Sequence, residues 1–369
     1  MVEKPEQDER EAVHAALCVD RDAFRRFGSV LRHLAVGMVD QAVAMRILSP
    51  DPRVERLRLG PIQTTLYPRM TWPFAGRRLN RLIGAWGPHP PTVVHAITGE
   101  CFGVAVAIAE AFDADLIIQL TSLADCDAVL HIPTERVGRF VASSTPLHDV
   151  LVSQLHIGTD RIELIRPGVL AADRPACFAR GRRTCALVCT ADLESDSGIE
   201  ALIHAVAALR AREQDVVMFL LGQGQQESAL RRLVQKVGLL PHVTFANPRG
   251  DVGHVLAGSD VFVRPSVDHA FFAGSLQAMA AGMAVITCTN TVADHLLDQK
   301  TAIVVRETTP DGLATAVEQL LVDRELGRRL AAAALEHVRT HHAMNTMAEK
   351  TATMYRRMAV QRATFPITG

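Results

Sequence analysis

Residues 185–224 read CALVCTADLESDSGIEALIHAVAALRAREQDVVMFLLGQG. The apolar run over 185–191 predicts a strand, 198–212 a helix, and 216–221 a second strand that ends at Gly222-Gln-Gly224. Short continuous apolar runs are what strands covered on both faces show, and a strand–helix–strand unit makes those strands parallel. The alternation continues downstream. It predicts a helix over 226–237, a strand over 242–245, a helix over 251–257, a strand over 260–263, a helix over 273–282 and a strand over 284–288. This half of the chain therefore reads as a doubly wound domain.

The N-terminal half repeats the theme less regularly. Strands are expected at 13–19, 42–48, 92–97 and 116–120, with helices through Phe24–Leu34 and over 102–112. The stretch Pro50–Pro91 is rich in Pro, Arg and turn residues and takes no secure assignment. Turn-formers and arginines between Arg166 and Arg183 separate the two regular halves. The last predicted helix, Met344–Ala359, has no strand after it and places Met347, Ala352, Met354, Tyr355 and Met358 at apolar positions, a face suited to packing back across the junction.

Composition narrows the class. The 369 residues are 48% hydrophobic with a net charge of −1, so a packed globular protein is expected and a global nucleic-acid-binding field is excluded. Charge is uneven, however: from Arg21 to Arg81 twelve arginines face four acids, a net of +8. That stretch reads either as a solvated face or as a surface for anionic lipid or a phosphorylated acceptor. Seven cysteines without paired spacing fit a reducing compartment, and Cys185 and Cys189 belong to a strand rather than a zinc half-site. No run approaches the ~18 apolar residues of a membrane span, and the N-terminus is no secretory signal. A cytoplasmic protein is expected, with peripheral contact at the inner membrane face as the extension that the basic stretch suggests.

The order of short motifs in the C-terminal half is more specific than any one of them. Pro167-Gly-Val169, Ala191-Asp-Leu193, Ser197-Gly198, Leu221-Gly-Gln-Gly224, Val243-Thr-Phe245, Ser259-Asp-Val-Phe-Val-Arg-Pro-Ser266 and Leu276-Gln-Ala-Met-Ala-Ala-Gly282 follow one another. In this order and spacing the series resembles the donor domain of the group 1 retaining glycosyltransferases. The resemblance covers residues 141–358 well and the N-terminal half loosely. It implies an α/β GT-B fold: two doubly wound, Rossmann-like domains facing each other across a cleft, with the C-terminal helix returning to the first. The expected divisions are 1–170 on the acceptor side, 171–342 on the donor side and 343–369 for the returning helix.

The resemblance also implies a site. In that family an Arg and a Lys after the first donor-domain strand neutralise the donor diphosphate; here those places hold Asp192 and Ser197. Two family glutamates eight positions apart, one near the transferred sugar and one on the ribose, are replaced by His269 and Gln277. The family's N-terminal histidine aligns approximately with Thr121, and a Gly-Gly turn preceding an acid with Thr291–His295. Losing two hydrogen bonds to charged groups, at about 1.5–3 kcal/mol each, removes about 10²–10⁴ in diphosphate affinity. Arg249 or Arg264, or helix N-termini, are the candidate replacements.

Donor contacts are thus expected from Asp192, Ser197, Gly198, Gly222, Gly224, Arg249, Ser266, Ala270, Phe271, Phe272 and Gln277. His269 is the candidate catalytic group, since a histidine can donate a hydrogen bond or proton near neutral pH. The resemblance implies no resident cofactor and no metal: the nucleotide sugar is a substrate, passed to a glycan or lipid-linked acceptor. Asp125-Cys-Asp127 reads as a surface turn, and His341-His342 as a helix-end pair lacking further ligands at suitable spacing. Three functions stay open: an active transferase; a scaffold or partner subunit for another glycosyltransferase, with the chemistry lost; and a sugar-nucleotide epimerase of the same architecture. The charge around the diphosphate site discriminates the first two.

Overall fold

The computed structural model describes residues 13–68, 75–175, 177–178, 184–193, 197–246 and 253–364. The chain lays down β1 (His14–Val19), α1 (Arg21–Asp40), β2 (Ala44–Ser49), β3 (Gln63–Leu66), α2 (Ala75–Gly84), β4 (Val93–Ile97), α3 (Phe102–Phe112), β5 (Asp115–Leu120), α4 (Leu123–Val129), β6 (Val137–Ala142), α5 (Thr145–Ser153) and β7 (Ile162–Leu164). These strands form one parallel sheet in the order β3-β2-β1-β4-β5-β6-β7. The register pairs Ala15 with Met45 on one side and with Val93 on the other.

A second set follows: β8 (Cys185–Thr190), α6 (Ile199–Ala211), β9 (Val216–Leu221), α7 (Glu227–Lys236), β10 (Val243–Ala246), α8 (Gly253–Ala257), β11 (Val261–Arg264), α9 (Ala273–Ala280), β12 (Ala284–Cys288), β13 (Ile303–Val305), α10 (Pro310–Val322), α11 (Arg324–His341) and α12 (Met344–Thr364). Its parallel sheet runs β10-β9-β8-β11-β12-β13. The strand order reverses between β1 and β4 in one sheet and between β8 and β11 in the other. At such points the loops leaving the strands' carboxyl ends part and open a crevice.

Helix α1 shows why the elements form where they do. Asp20 caps it by accepting the Ala23 N–H at 2.7 Å, and Phe24, Phe27, Leu31, Leu34 and Met38 fall on one buried stripe. That stripe meets α12, as its unpartnered apolar face required. Met347, Ala352, Met354, Tyr355 and Met358 are all buried there, and the Tyr355 hydroxyl lies 2.8 Å from His95 Nδ1 on β4. Arg356 donates to the Gln41 carbonyl and Arg357 pairs with Glu163, fastening the outer face of the same helix to the first sheet. One apolar cluster runs without a break from β1 and α1 through Phe271 to α9, α11 and α12.

Several elements depart from the sequence reading. Pro50–Pro91 contains a strand at the sheet edge and an amphipathic helix, α2, with no fully buried residue. Asp125-Cys-Asp127 is not a surface turn. Asp125 is buried at the third position of α4, where it completes a capping box with Ser122 and accepts from the Thr121 N–H and Oγ1 at 2.7 and 2.8 Å. All seven cysteines are buried and unpaired, and burial pushes the Cys18 and Cys189 thiols up to about 12, so neither is a nucleophile. No helix among the described residues is long and apolar enough to cross a membrane.

Candidate functional site

The expected donor residues that the structure describes gather at the carboxyl edge of the second sheet. Asp192 follows β8, Gly198 opens α6, Gly222 and Gly224 follow β9, and Ser266 to Phe272 form the connection from β11 to α9. Arg249 lies outside the described residues. Gly198 sits at φ +72°, and a Cβ there would stand 2.3 Å from the Pro265 carbonyl oxygen, so the start of α6 abuts the end of β11 at the strand-order reversal. The first-turn amides of this 13-residue helix face the crevice region, where anions are favoured.

Gly222 and Gly224 have a different reason for lacking side chains. A Cβ on Gly222 would lie 1.9 Å from the Ala191 oxygen, and one on Gly224 would lie 2.2 Å from the Leu193 oxygen. Their backbone packs directly on residues 191–193, with the Leu193 N–H donating to the Gln223 oxygen at 3.0 Å and Gln226 N–H to the Leu193 oxygen at 2.8 Å. The close packing of the two glycines thus helps hold residues 191–193 in place.

Asp192 is the electrostatic centre of the cleft. Its side chain is about half exposed, and Oδ2 lies 3.3 Å from Arg25 Nε, which comes from α1 beneath the opposite sheet. Partial burial raises its pKa, against the pull of Arg25, Arg53 and Arg264. Three arginines thus act on Asp192, two of them from the first sheet's side. Arg53 is oriented by Asp51 through Nε and Nη2, both at 2.9 Å. Arg264 is oriented by Asp268, at 2.8 and 3.1 Å, and its guanidinium lies 4.0 Å from the centre of the Phe272 ring.

The 269–272 segment is bonded to both halves of the molecule. The Phe271 N–H is already committed to the Thr121 oxygen at 2.7 Å, and its ring is fully buried, 5.5 Å from Phe27 and 4.9 Å from His295. The Ala270 oxygen accepts from Asn290 Nδ2 at 3.0 Å. The His269 oxygen accepts the Leu123 N–H at 2.9 Å, so this segment and residues 121–123 stitch the two halves together. His269 itself is exposed, with Nδ1 2.9 Å from Thr291 Oγ1. Ser266 Oγ turns to Asp268 at 3.4 Å. Gln277 lies half-buried on α9 with its side chain unbonded among the described residues.

Two participants were not singled out from sequence. Arg25 was one of twelve arginines in a basic stretch, and only the fold selects it. Thr190 ends β8 with Oγ1 buried and without a protein partner, against the first turn of α9, where a Cβ on Gly274 would come within 2.7 Å of it. On the first sheet's edge, Thr98 takes φ +77° and donates through Oγ1 to Asp20, a strained backbone position for a β-branched residue.

Comparison with known proteins agrees with this architecture. The family described as "Glycosyl transferases group 1" matches residues 184–323. The chain carries a group 1 glycosyltransferase domain. Within the chain's GT-B fold, that domain spans β8 to α10 and contains Asp192, Gly198, Gly222, Gly224, Arg264 and the 266–277 segment. Over 245 residues the chain is 29% identical to the GDP-mannose-dependent alpha-(1-6)-phosphatidylinositol monomannoside mannosyltransferase of Mycobacterium tuberculosis, covering 62% of each protein. The chain thus spans about three fifths of the length of that relative.

Solved structures share the fold around the group 1 domain as well. A glycosyltransferase from Rickettsia africae has a TM-score of 0.74 at 13% identity, over 94% of this chain and 99% of that one. Anabaena Alr3699/HepE in complex with UDP has a TM-score of 0.72 at 13% identity, over 92% and 99%.

Proposed function

We propose that this chain transfers a sugar from a nucleotide-sugar donor to an acceptor hydroxyl, with the donor in the cleft between the two sheets. The observation that carries the reading is Arg25 at 3.3 Å from Asp192 across the cleft, with Arg53 and Arg264 acting on the same carboxylate through space. In such a transfer the bond between the anomeric carbon and the phosphate oxygen breaks, and the nucleoside diphosphate leaves with the electron pair. The acceptor oxygen bonds to the carbon, and its proton passes to the leaving phosphate or to a nearby base. Charge therefore grows on the diphosphate in the transition state, where preorganised cations are worth most. Arg25 and Arg53 are suited to that role once the phosphate takes Asp192's place beside them. The α6 amides after Gly198 and Thr190 Oγ1 supply neutral donors. His269 stands in the segment beside this site as the group able to donate to the sugar.

The family resemblance makes the reaction retaining and metal-independent, with Gln277 bonding the ribose. The acceptor class follows from the relative whose name specifies a phosphatidylinositol mannoside, and from α2. That helix presents exposed Arg77 and Arg81 beside half-buried Leu79, Leu82 and Ile83, a pattern suited to an anionic membrane surface and hence to a lipid-linked acceptor. Co-sedimentation with anionic and neutral vesicles checks this part, since equal binding to both, or none, removes the membrane role. The transfer itself is tested by release of nucleoside diphosphate from UDP-, GDP- and ADP-sugars with lipid extracts as acceptor. Binding without turnover under any pairing would favour the scaffold reading that Asp192 and Ser197 invite.

A further inference from the structure

Behind the 269–272 segment, three side chains distant in sequence converge. Asp294 and His295 lie in the connection after β12, and His342 lies where the chain turns from α11 into α12. One ligand atom from each is within 4.8 Å of the others. His295 and His342 are 0% and 1% exposed. Sequence reading set His342 aside with His341 for lack of further ligands; the fold supplies two.

Hydrogen bonding fixes what each group has left to offer. His342 Nδ1 is 2.8 Å from the Pro167 carbonyl oxygen, which can only accept, so the proton sits on Nδ1 and Nε2 keeps a lone pair. His295 Nε2 is 3.2 Å from Ser275 Oγ, whose own hydrogen goes to the Phe272 oxygen at 2.9 Å. Ser275 therefore accepts, and His295 Nδ1 keeps the lone pair. Asp294 uses Oδ2 for the Thr145 N–H and for Arg166 Nη2, both at 3.0 Å. Asp294 Oδ1, His295 Nδ1 and His342 Nε2 are buried and have no hydrogen-bond partner among the described residues.

Three buried acceptors of one cluster thus lack a donor. A single water carries two hydrogens and leaves one acceptor unmet, and a buried unmet acceptor is destabilising. A cation meets all three. We propose that Asp294, His295 and His342 form a binding site for a divalent transition-metal ion of the zinc class, held through Oδ1, Nδ1 and Nε2. Two imidazoles and a carboxylate are a borderline donor set that suits zinc and its neighbours better than magnesium or calcium. The outer contacts have the form such sites use: each imidazole's other nitrogen is bonded, and the carboxylate's other oxygen is bonded twice. Arg166 beside Asp294 opposes a second positive charge, so affinity is set below that of an all-neutral surround.

The site's place gives the ion a structural role. Asp294 and His295 belong to the second sheet's loops, and His342 to the chain's return crossing. Pro167 belongs to the first crossing, and Thr145 opens α5 beside the first sheet. An ion here pins both crossings and the back of the segment that carries His269.

The test uses the full-length chain, stripped with chelator and titrated with zinc by calorimetry and with cobalt by visible absorption. The expected result is about one ion per chain, d–d bands of low coordination number, and a melting temperature that rises with zinc. His342→Gln and Asp294→Asn should each weaken zinc binding at least tenfold. Ser275→Ala, which touches no ligand atom, should weaken it by about tenfold through loss of His295's orientation. His341→Ala, at the exposed neighbour, should leave it unchanged. Absence of stoichiometric binding, or binding lost in His341→Ala but kept in His342→Gln, overturns the proposal and leaves water or a proton as the occupant.

Discussion

Asp192 and Arg25 lie 3.3 Å apart, one on the loop after β8 and the other on α1 across the cleft. The acid on the donor-side loop is thus paired with a cation from the opposite half of the molecule, and the pair is net neutral. Under the proposed function, this pair lies where the donor diphosphate would bind.

Restoring charge on the donor-side loop should therefore strengthen binding. Asp192→Arg with Ser197→Lys adds two charge-assisted hydrogen bonds of about 1.5–3 kcal/mol each and removes one competitor for Arg25. Discounted for an exposed site, the double variant should bind UDP or GDP roughly ten- to a hundredfold more tightly. Titration calorimetry checks it. Unchanged affinity would place the phosphate away from the β8–α6 loop.

The glycines after β9 should be structural. Gly222→Ala and Gly224→Ala each drive a methyl group into a backbone carbonyl, at 1.9 and 2.2 Å, and backbone cannot swing aside as a side chain can. Each should lower stability by roughly 1–3 kcal/mol, read as an earlier midpoint in urea unfolding, and weaken nucleotide binding as Asp192 shifts. A variant that melts like wild type but no longer binds nucleotide would instead make these glycines direct ligands.

Tyr355 and His95 predict an acid-side response. Burial lowers the His95 pKa to about 3, from an unfolded value near 6.5. The unfolded chain then binds one more proton between those values, so stability from this group is whole above pH ~6.5 and falls by about 1.4 kcal/mol per pH unit as pH drops toward 3. Stability from urea unfolding should fall between pH 7 and 4.5, with the buried His295 and His342 adding to the slope, and His95→Gln should reduce that slope by one proton. Tyr355→Phe should cost about 1–3 kcal/mol at pH 7 by leaving His95 Nδ1 unbonded, which would loosen α12 from the first sheet. A slope identical in wild type and His95→Gln would contradict the assignment.

What was legible in the sequence follows from where the information is local. The second sheet's strands are short continuous apolar runs, so Cys185–Thr190 and Val216–Leu221 could be placed from their own residues. The face of α12 could be read from Met347, Ala352, Met354, Tyr355 and Met358. The weak edge strand Gln63–Leu66, half-exposed and without an apolar run, was not legible, nor was Ile303–Val305, because three residues carry no periodicity. Asp125 was misread because a capping box looks like a polar turn until the helix it caps is known. Arg25 was hidden among twelve arginines, and the partners of His342 stand 47 and 48 positions away. Such groupings are made by the fold and leave no spacing in the chain.

The most direct test of the account is calorimetric titration of the wild-type chain and of Arg25→Ala with UDP, GDP and ADP. The account predicts that wild type binds at least one of the three, and that Arg25→Ala, which removes a cation from the cleft and takes its ion-pair partner from Asp192, weakens it by about tenfold at low salt. No binding of any nucleotide by wild type, or equal binding by both proteins, would contradict it.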